Sequence, residues 1–210
     1  MKLIVKISKK LSFFALLSAF VFAGCENDSD MDYGFPLRYM PQATITGLDN
    51  TYPIPSGPIE EYSTYSCYYE NGHLNIALGA LRAGKIADAK GFSVAIRVSP
   101  SETAEAVAKL QGEGVDAMAL PNVYTLPGSI TVEAGKNSGS TYLSINMNQL
   151  AQVSEIVGED NKWKILVLAV EIADPSEYEL ADTNTSVVIN IDLNSSYWDW
   201  GTPPNLVYTK

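Results

Sequence analysis

The chain is poor in the side chains that carry most enzyme chemistry. Of its 210 residues one is a histidine, His73, and two are cysteines, Cys25 and Cys67. A zinc centre takes several His, Cys or carboxylate ligands in a cluster, and the sequence around His73 supplies none. No segment has the strand–turn–helix pattern of a nucleophile elbow, and no glycine-rich loop is placed to cradle a phosphate. Basic residues number 14 against 24 acids, a formal net charge of −10. Such a surface repels phosphate backbones, which argues against nucleic acid as a partner. A glycosidase needs two placed carboxylates, but with this many acids any pair can be picked, so none is singled out. These shortages point away from an enzyme and imply no cofactor and no metal.

Long apolar runs are also scarce. The one conspicuous run, Leu11 to Phe22, is broken only by Ser12 and Ser18. It falls short of the roughly 20 residues a membrane-spanning helix needs. Before it stand Lys2, Lys6, Lys9 and Lys10, and after it the small residues Ala23 and Gly24 lead to Cys25. A basic start, a short apolar core and a small-residue cleavage site make a secretory signal over residues 1–24. Phe22-Ala23-Gly24-Cys25 resembles a bacterial lipobox, in which the cysteine thiol takes a diacylglycerol and becomes the new N-terminus. Acyl chains hold a protein at a membrane by burying methylenes, one chain reversibly and two or more stably. The expected partner of Cys25 is therefore a lipid anchor. Cys67 is then left without an intrachain disulfide, and within Tyr65-Ser66-Cys67-Tyr68-Tyr69 it reads as a small buried hydrophobe.

Residues 25–36 read as a tether. Glu26, Asp28, Asp30 and Asp32 fall within seven residues without a base, a composition that cannot bury enough apolar surface to fold. The segment resembles the acidic export signal behind the lipid-bearing cysteine of Bacteroidetes surface lipoproteins. The expected location is thus the cell outer membrane, lipid-anchored and facing the extracellular side. Residues 1–24 hold four of the basic residues and none of the acids, so the mature chain has a net charge of about −14.

Residues 37–210 read as one β-rich domain. Leu37 to Ala43 is expected as a first strand, and 47–61, with Pro53, Pro55, Gly57 and Pro58, as a loop. Period-two alternation marks half-buried strands. It appears with Leu74, Ile76 and Leu78; with Phe92, Val94, Ile96 and Val98; with Ile130 and Val132; with Leu143, Ile145 and Met147; and with Val187, Ile189, Ile191 and Leu193. Ile165 to Val170 is apolar on both faces and is expected as the most buried strand. Gly135 to Gly139 reads as a hairpin loop. One helix is expected, with Ser99 as N-cap, Pro100 first, Glu102 returning to the cap, Ala104, Val107 and Ala108 at helical spacing, and Gly112 and Gly114 at its end. A second short helix is expected within 148–156. Six to eight strands with so little helix give an all-β fold, a two-layer antiparallel sandwich with one or two short helices.

Three stretches in this order resemble a known family: Tyr39-Met40-Pro41-Gln42-Ala43, then Leu120-Pro121-Asn122-Val123-Tyr124-Thr125-Leu126-Pro127 with Ile130 to Gly135, then the strand at 165–172 leading through Tyr178-Glu179-Leu180 to 186–193. The chain is similar here to domain of unknown function 1735, a family of Bacteroidetes surface lipoproteins. The resemblance implies an immunoglobulin-like β-sandwich, commonly N-terminal to a lectin-like or glycosidase module and often found in glycan-utilisation systems. This chain ends soon after the sandwich, so the activity of such a module is not expected in it. The family carries over no functional residues.

Aromatics are the chemistry that is present. Tyr197, Trp198 and Trp200 follow the last clear strand with Asp199 between the tryptophans, and Tyr62, Tyr65, Tyr68 and Tyr69 crowd one stretch. A ring offers an apolar body, and in Tyr and Trp a polar tip, which suits the CH faces and hydroxyl rims of sugars. Tyr197, Trp198 and Trp200 are the candidate glycan-binding residues; the alternative is that the tryptophans plug an end of the sandwich and the tyrosines pack on strands. Asp174, Glu177, Glu179 and Asp182 read as a solvated acidic loop or, through their oxygens, a calcium site. The leading expectation is a non-enzymatic surface lipoprotein that binds polysaccharide or serves outer-membrane glycan-uptake proteins. The alternative is a structural immunoglobulin-like subunit or spacer that contacts protein and no glycan.

Overall fold

The computed structural model describes residues 37–56 except 46 and 48, then 66–84, 89–158 and 162–195. Cys25, the acidic tether, Tyr62, Tyr65, Tyr197, Trp198 and Trp200 lie outside the described residues. The fold is an all-β sandwich with minor helix: two six-stranded sheets packed face to face over a shared apolar core. Among the described residues no helix is long and apolar enough to cross a membrane.

Sheet I runs β11 (Glu179–Leu180), β1 (Leu37–Tyr39), β4 (His73–Arg82), β9 (Ser138–Asn146), β7 (Tyr124–Thr125), with β3 (Cys67–Glu70) also paired to β4. Sheet II runs β2 (Thr51–Ile54), β12 (Ser186–Ile191), β10 (Ile165–Ala173), β5 (Phe92–Val98), β8 (Ser129–Val132), with β6 (Ala117–Ala119) also paired to β10. Most pairings are antiparallel, and the three short exceptions, β1–β11, β2–β12 and β6–β10, are parallel.

The alternating residues form the core as expected. Leu74, Ile76 and Leu78 of β4 face Phe92, Val94 and Ile96 of β5 and Leu166, Leu168 and Val170 of β10 in one cluster. Cys67 joins it, 2% exposed and reduced. Helix α1 (Pro100–Gly112) begins at Pro100 and closes on Gly114, which takes the left-handed conformation (φ +82°) while the Val115 N–H returns to the Leu110 carbonyl. That is the bond pattern of a glycine-terminated helix.

Several expectations change. The first strand stops at Tyr39 because Pro41 opens a 3₁₀ turn, Pro41–Thr44. The stretch read as a loop contains β2; its Pro53 is tolerated because β2 is an edge strand, where a missing donor costs no ladder bond. Gly135 to Gly139 is not a hairpin: β8 lies in sheet II and β9 in sheet I, and the segment carries the chain between them. Gly139 sits against the Thr131 carbonyl, where a Cβ would collide with backbone. The second helix, α2 (Met147–Leu150), ends before a separate 3₁₀ turn, Ser154–Ile156.

Ser99 stands at the N-cap of α1, but its side chain makes no capping bond and Glu102 does not return to it. The first turn serves sheet II instead. The Ser99 N–H donates to the Ala169 carbonyl (2.9 Å), the Ala169 N–H donates to Thr103 Oγ1 (2.9 Å), and that hydroxyl donates to the Ser99 carbonyl (2.8 Å). Residue 169 falls where β5 leaves the edge of β10 and β6 takes over. Thr103 thus acts as a strand residue supplied by a helix.

Arg38 is fully buried, its guanidinium 4.1 Å from the ring centres of both Phe92 and Tyr178. Burial, and then its neighbour Arg82, pull its pKa down to about 10. This clamp joins β1 of sheet I to β5 of sheet II.

Candidate functional site on the open face of sheet I

In a strand, successive side chains point to opposite faces. With Leu74, Ile76 and Leu78 inward, β4 turns His73, Asn75, Ala77 and Gly79 outward. Register then fixes their neighbours. His73 stands opposite Asn146 and Glu70; Asn75 opposite Ser144 and Tyr68; Ala77 opposite Tyr142. β3 and β9 flank β4, and across it, at the level of Asn75 and Ala77, two aromatic rings meet. Tyr68 and Tyr142 stand edge to face, centroids 5.2 Å apart at 81°. Tyr142 is 43% exposed, one of two large hydrophobics left exposed among the described residues.

Toward the α2 end of the same face lies a shallow pocket of about 150 Å³, lined by His73, Asn122, Thr125, Ser144, Asn146 and Gln149 among others. Its lining holds amides, hydroxyls and one imidazole, and no Asp, Glu, Lys or Arg. Two of these groups are oriented by their own partners. His73 Nδ1 lies 3.1 Å from the Asn71 carbonyl. A carbonyl only accepts, so Nδ1 carries the proton, and in the uncharged tautomer of that ring Nε2 is an acceptor. Asn146 caps α2, its Oδ1 accepting the Gln149 N–H at 3.1 Å, which leaves its NH₂ to donate. Burial raises the pKa of the neighbouring Tyr124 phenol. The arrangement offers an open aromatic pair, its rings nearly perpendicular, beside a set of neutral donors and acceptors.

A larger concavity, about 520 Å³, lies between α1 and sheet II. Asp49, Glu102, Glu105 and Glu113 line it with Lys109 and Asn190, and it has no aromatic ring. Among the described residues no group of His, Cys, Asp or Glu is arranged to hold a metal ion. In the acidic loop, Glu177 pairs with Lys90 (3.8 Å) and Asp174 with Arg97 (4.0 Å), so these two acids meet surface cations.

No family model matches the chain, and no curated protein is similar to it. Solved structures similar to it come from Bacteroides. A candidate carbohydrate binding protein from Bacteroides ovatus matches at 15% identity and a TM-score of 0.48, over 75% of this chain and 37% of that one. An auxiliary nutrient binding protein from Bacteroides thetaiotaomicron matches at 15% identity and a TM-score of 0.42, over 67% of this chain and 42% of that one. A multidomain protein including DUF1735, from Bacteroides ovatus, matches at 14% identity and a TM-score of 0.42, over 67% of this chain and 44% of that one. The last contains the domain that the sequence motifs resemble. The chain spans less than half the length of each of these three.

Of the predicted aromatics the described residues include Tyr68 and Tyr69, and the strand divides them: Tyr69 packs against the core while Tyr68 faces out. Tyr142 was not singled out by sequence. It shares the parity of Ser144 and Asn146, the polar side of an alternating run, and an aromatic on a polar side was the available signal.

Proposed function

We propose that this protein is a non-enzymatic, surface-anchored lipoprotein that binds glycan as an accessory to polysaccharide uptake. The observation that carries the glycan reading is the Tyr68–Tyr142 pair standing open beside a polar pocket free of charged side chains. Rings of this kind supply apolar contact to sugar CH groups, and amides and hydroxyls beside them fix orientation. The anchoring part rests on the Phe22-Ala23-Gly24-Cys25 lipobox and the acids behind it, and holds the binding face at the outer membrane, toward the medium.

The binding test is affinity electrophoresis of the mature chain in gels cast with plant, fungal and host polysaccharides. Retardation in at least one gel, lost in Tyr142→Ala with the melting temperature little changed, supports the reading. Trp198→Ala and Trp200→Ala test whether the terminal aromatics contribute to the same binding. The absence of retardation in every gel sinks it. Anchoring is tested by labelled palmitate, which should enter the wild type and not Cys25→Ala, and orientation by added protease, which should remove the protein from intact cells.

A further inference from the structure

We infer that the open face of sheet I selects uncharged saccharide and turns away uronate-bearing or sulfated chains. This rests on the glycan reading above and adds the ligand class. The pocket matches neutral hydroxyls, which both donate and accept. His73 Nε2 asks for a donor, and the Asn146 NH₂ offers one. An acidic sugar brings only acceptor oxygens at its charged group. No Lys or Arg in the lining pairs with it, and the carboxylate of Glu70 stands beside His73 in the ladder. A buried or half-buried anion without a cation is held badly, and a like charge nearby worsens it. The face also has direction: Ser144 lies two residues along β9 from Tyr142, about 7 Å. The ligand therefore runs from the tyrosine pair to the pocket, and its hydroxyls are read at the α2 end.

The test uses the mature chain in gels containing neutral glucan, mannan or galactan, and in parallel gels containing polygalacturonate or a sulfated glycan. The expected result is retardation by a neutral polymer and none by the charged ones. Gln149→Ala, which keeps the backbone N–H that Asn146 caps, and His73→Leu, both outside the core, should each weaken neutral binding by about three- to tenfold, the worth of one hydrogen bond. Stronger retardation by a charged polymer, or unchanged affinity in both variants, overturns the inference and leaves glycan binding itself standing. Silence in all gels removes both.

Discussion

β4 of sheet I and β10 of sheet II are both long central strands with one edge shared by two strands, β1 and β3 in the first case and β5 and β6 in the second. In both the junction leaves a backbone N–H without a strand partner, and in both a side chain from a helical turn accepts it. At Ala169 the acceptor is Thr103 Oγ1; at Gly79 it is Gln42 Oε1, at 3.1 Å. The difference lies on the outer faces. β10 is apolar on both sides from Ile165 to Val170, Val167 and Ala169 are fully buried on its outer side, and α1 packs there through Thr103. β4 is apolar on one side only, and its outer side carries His73, Asn75, Ala77 and the tyrosine pair above them. The fold thus covers the outer side of β10 and leaves the outer side of β4 open at Tyr142, the surface proposed above for glycan.

The strongest test of this contrast is a polar group under the helix. Val167→Asn places an amide where β10 is fully buried and removes packed methyls. A loss of about 2–4 kcal/mol in chemical denaturation is expected. A loss below 1 kcal/mol would mean that α1 does not seal that face. Next is Thr103→Val, which keeps the shape and deletes the acceptor of the buried Ala169 N–H. About 1–3 kcal/mol should go, with glycan retardation unchanged. Gln42→Met makes the matching change in sheet I. Its hydrogen bond is only partly buried, so water can replace it and a loss of about 0.5–1 kcal/mol is expected. Equal losses in the two variants would remove the distinction between a sealed and an open junction.

Which face of each strand is buried was legible from the sequence, because period two writes it directly: Leu74, Ile76 and Leu78, or Val187, Ile189 and Ile191, leave little choice. Which sheet a strand joins was not. Gly135 to Gly139 has the composition of a hairpin loop, and composition does not distinguish a chain that turns back on its own sheet from one that crosses to the other. Pro53 hid β2 because the rule against proline applies to central strands, and edge position is a tertiary property. Ser99, Pro100 and Glu102 marked the start of α1 correctly, yet the capping bond yielded to a longer-range demand, the open edge of β10 at Ala169. The candidate site was half legible. Tyr68 lay within a noted tyrosine run, but its partnership with Tyr142 depends on their two strands flanking β4 with Tyr68 opposite Asn75 and Tyr142 opposite Ala77, which only register shows.

Ala77 gives the smallest expected change in stability and the sharpest test of the contrast. It lies half-exposed directly opposite Tyr142, two residues along β4 from the Asn75 that faces Tyr68, on the side of β4 opposite the core. In Ala77→Arg the new side chain can snorkel to water, so its charge stays solvated, and surface changes of this kind stay within about 0.5 kcal/mol. The same side chain stands opposite Tyr142 and crowds its contact with Tyr68, and it brings a cation to a face that has none in its pocket. Denaturation should therefore be near that of the wild type while retardation by neutral glycan is lost. A loss of stability comparable to that of Val167→Asn would show that the outer face of β4 is packed like that of β10, and the tyrosine pair would then be part of a second core instead of a surface for sugar.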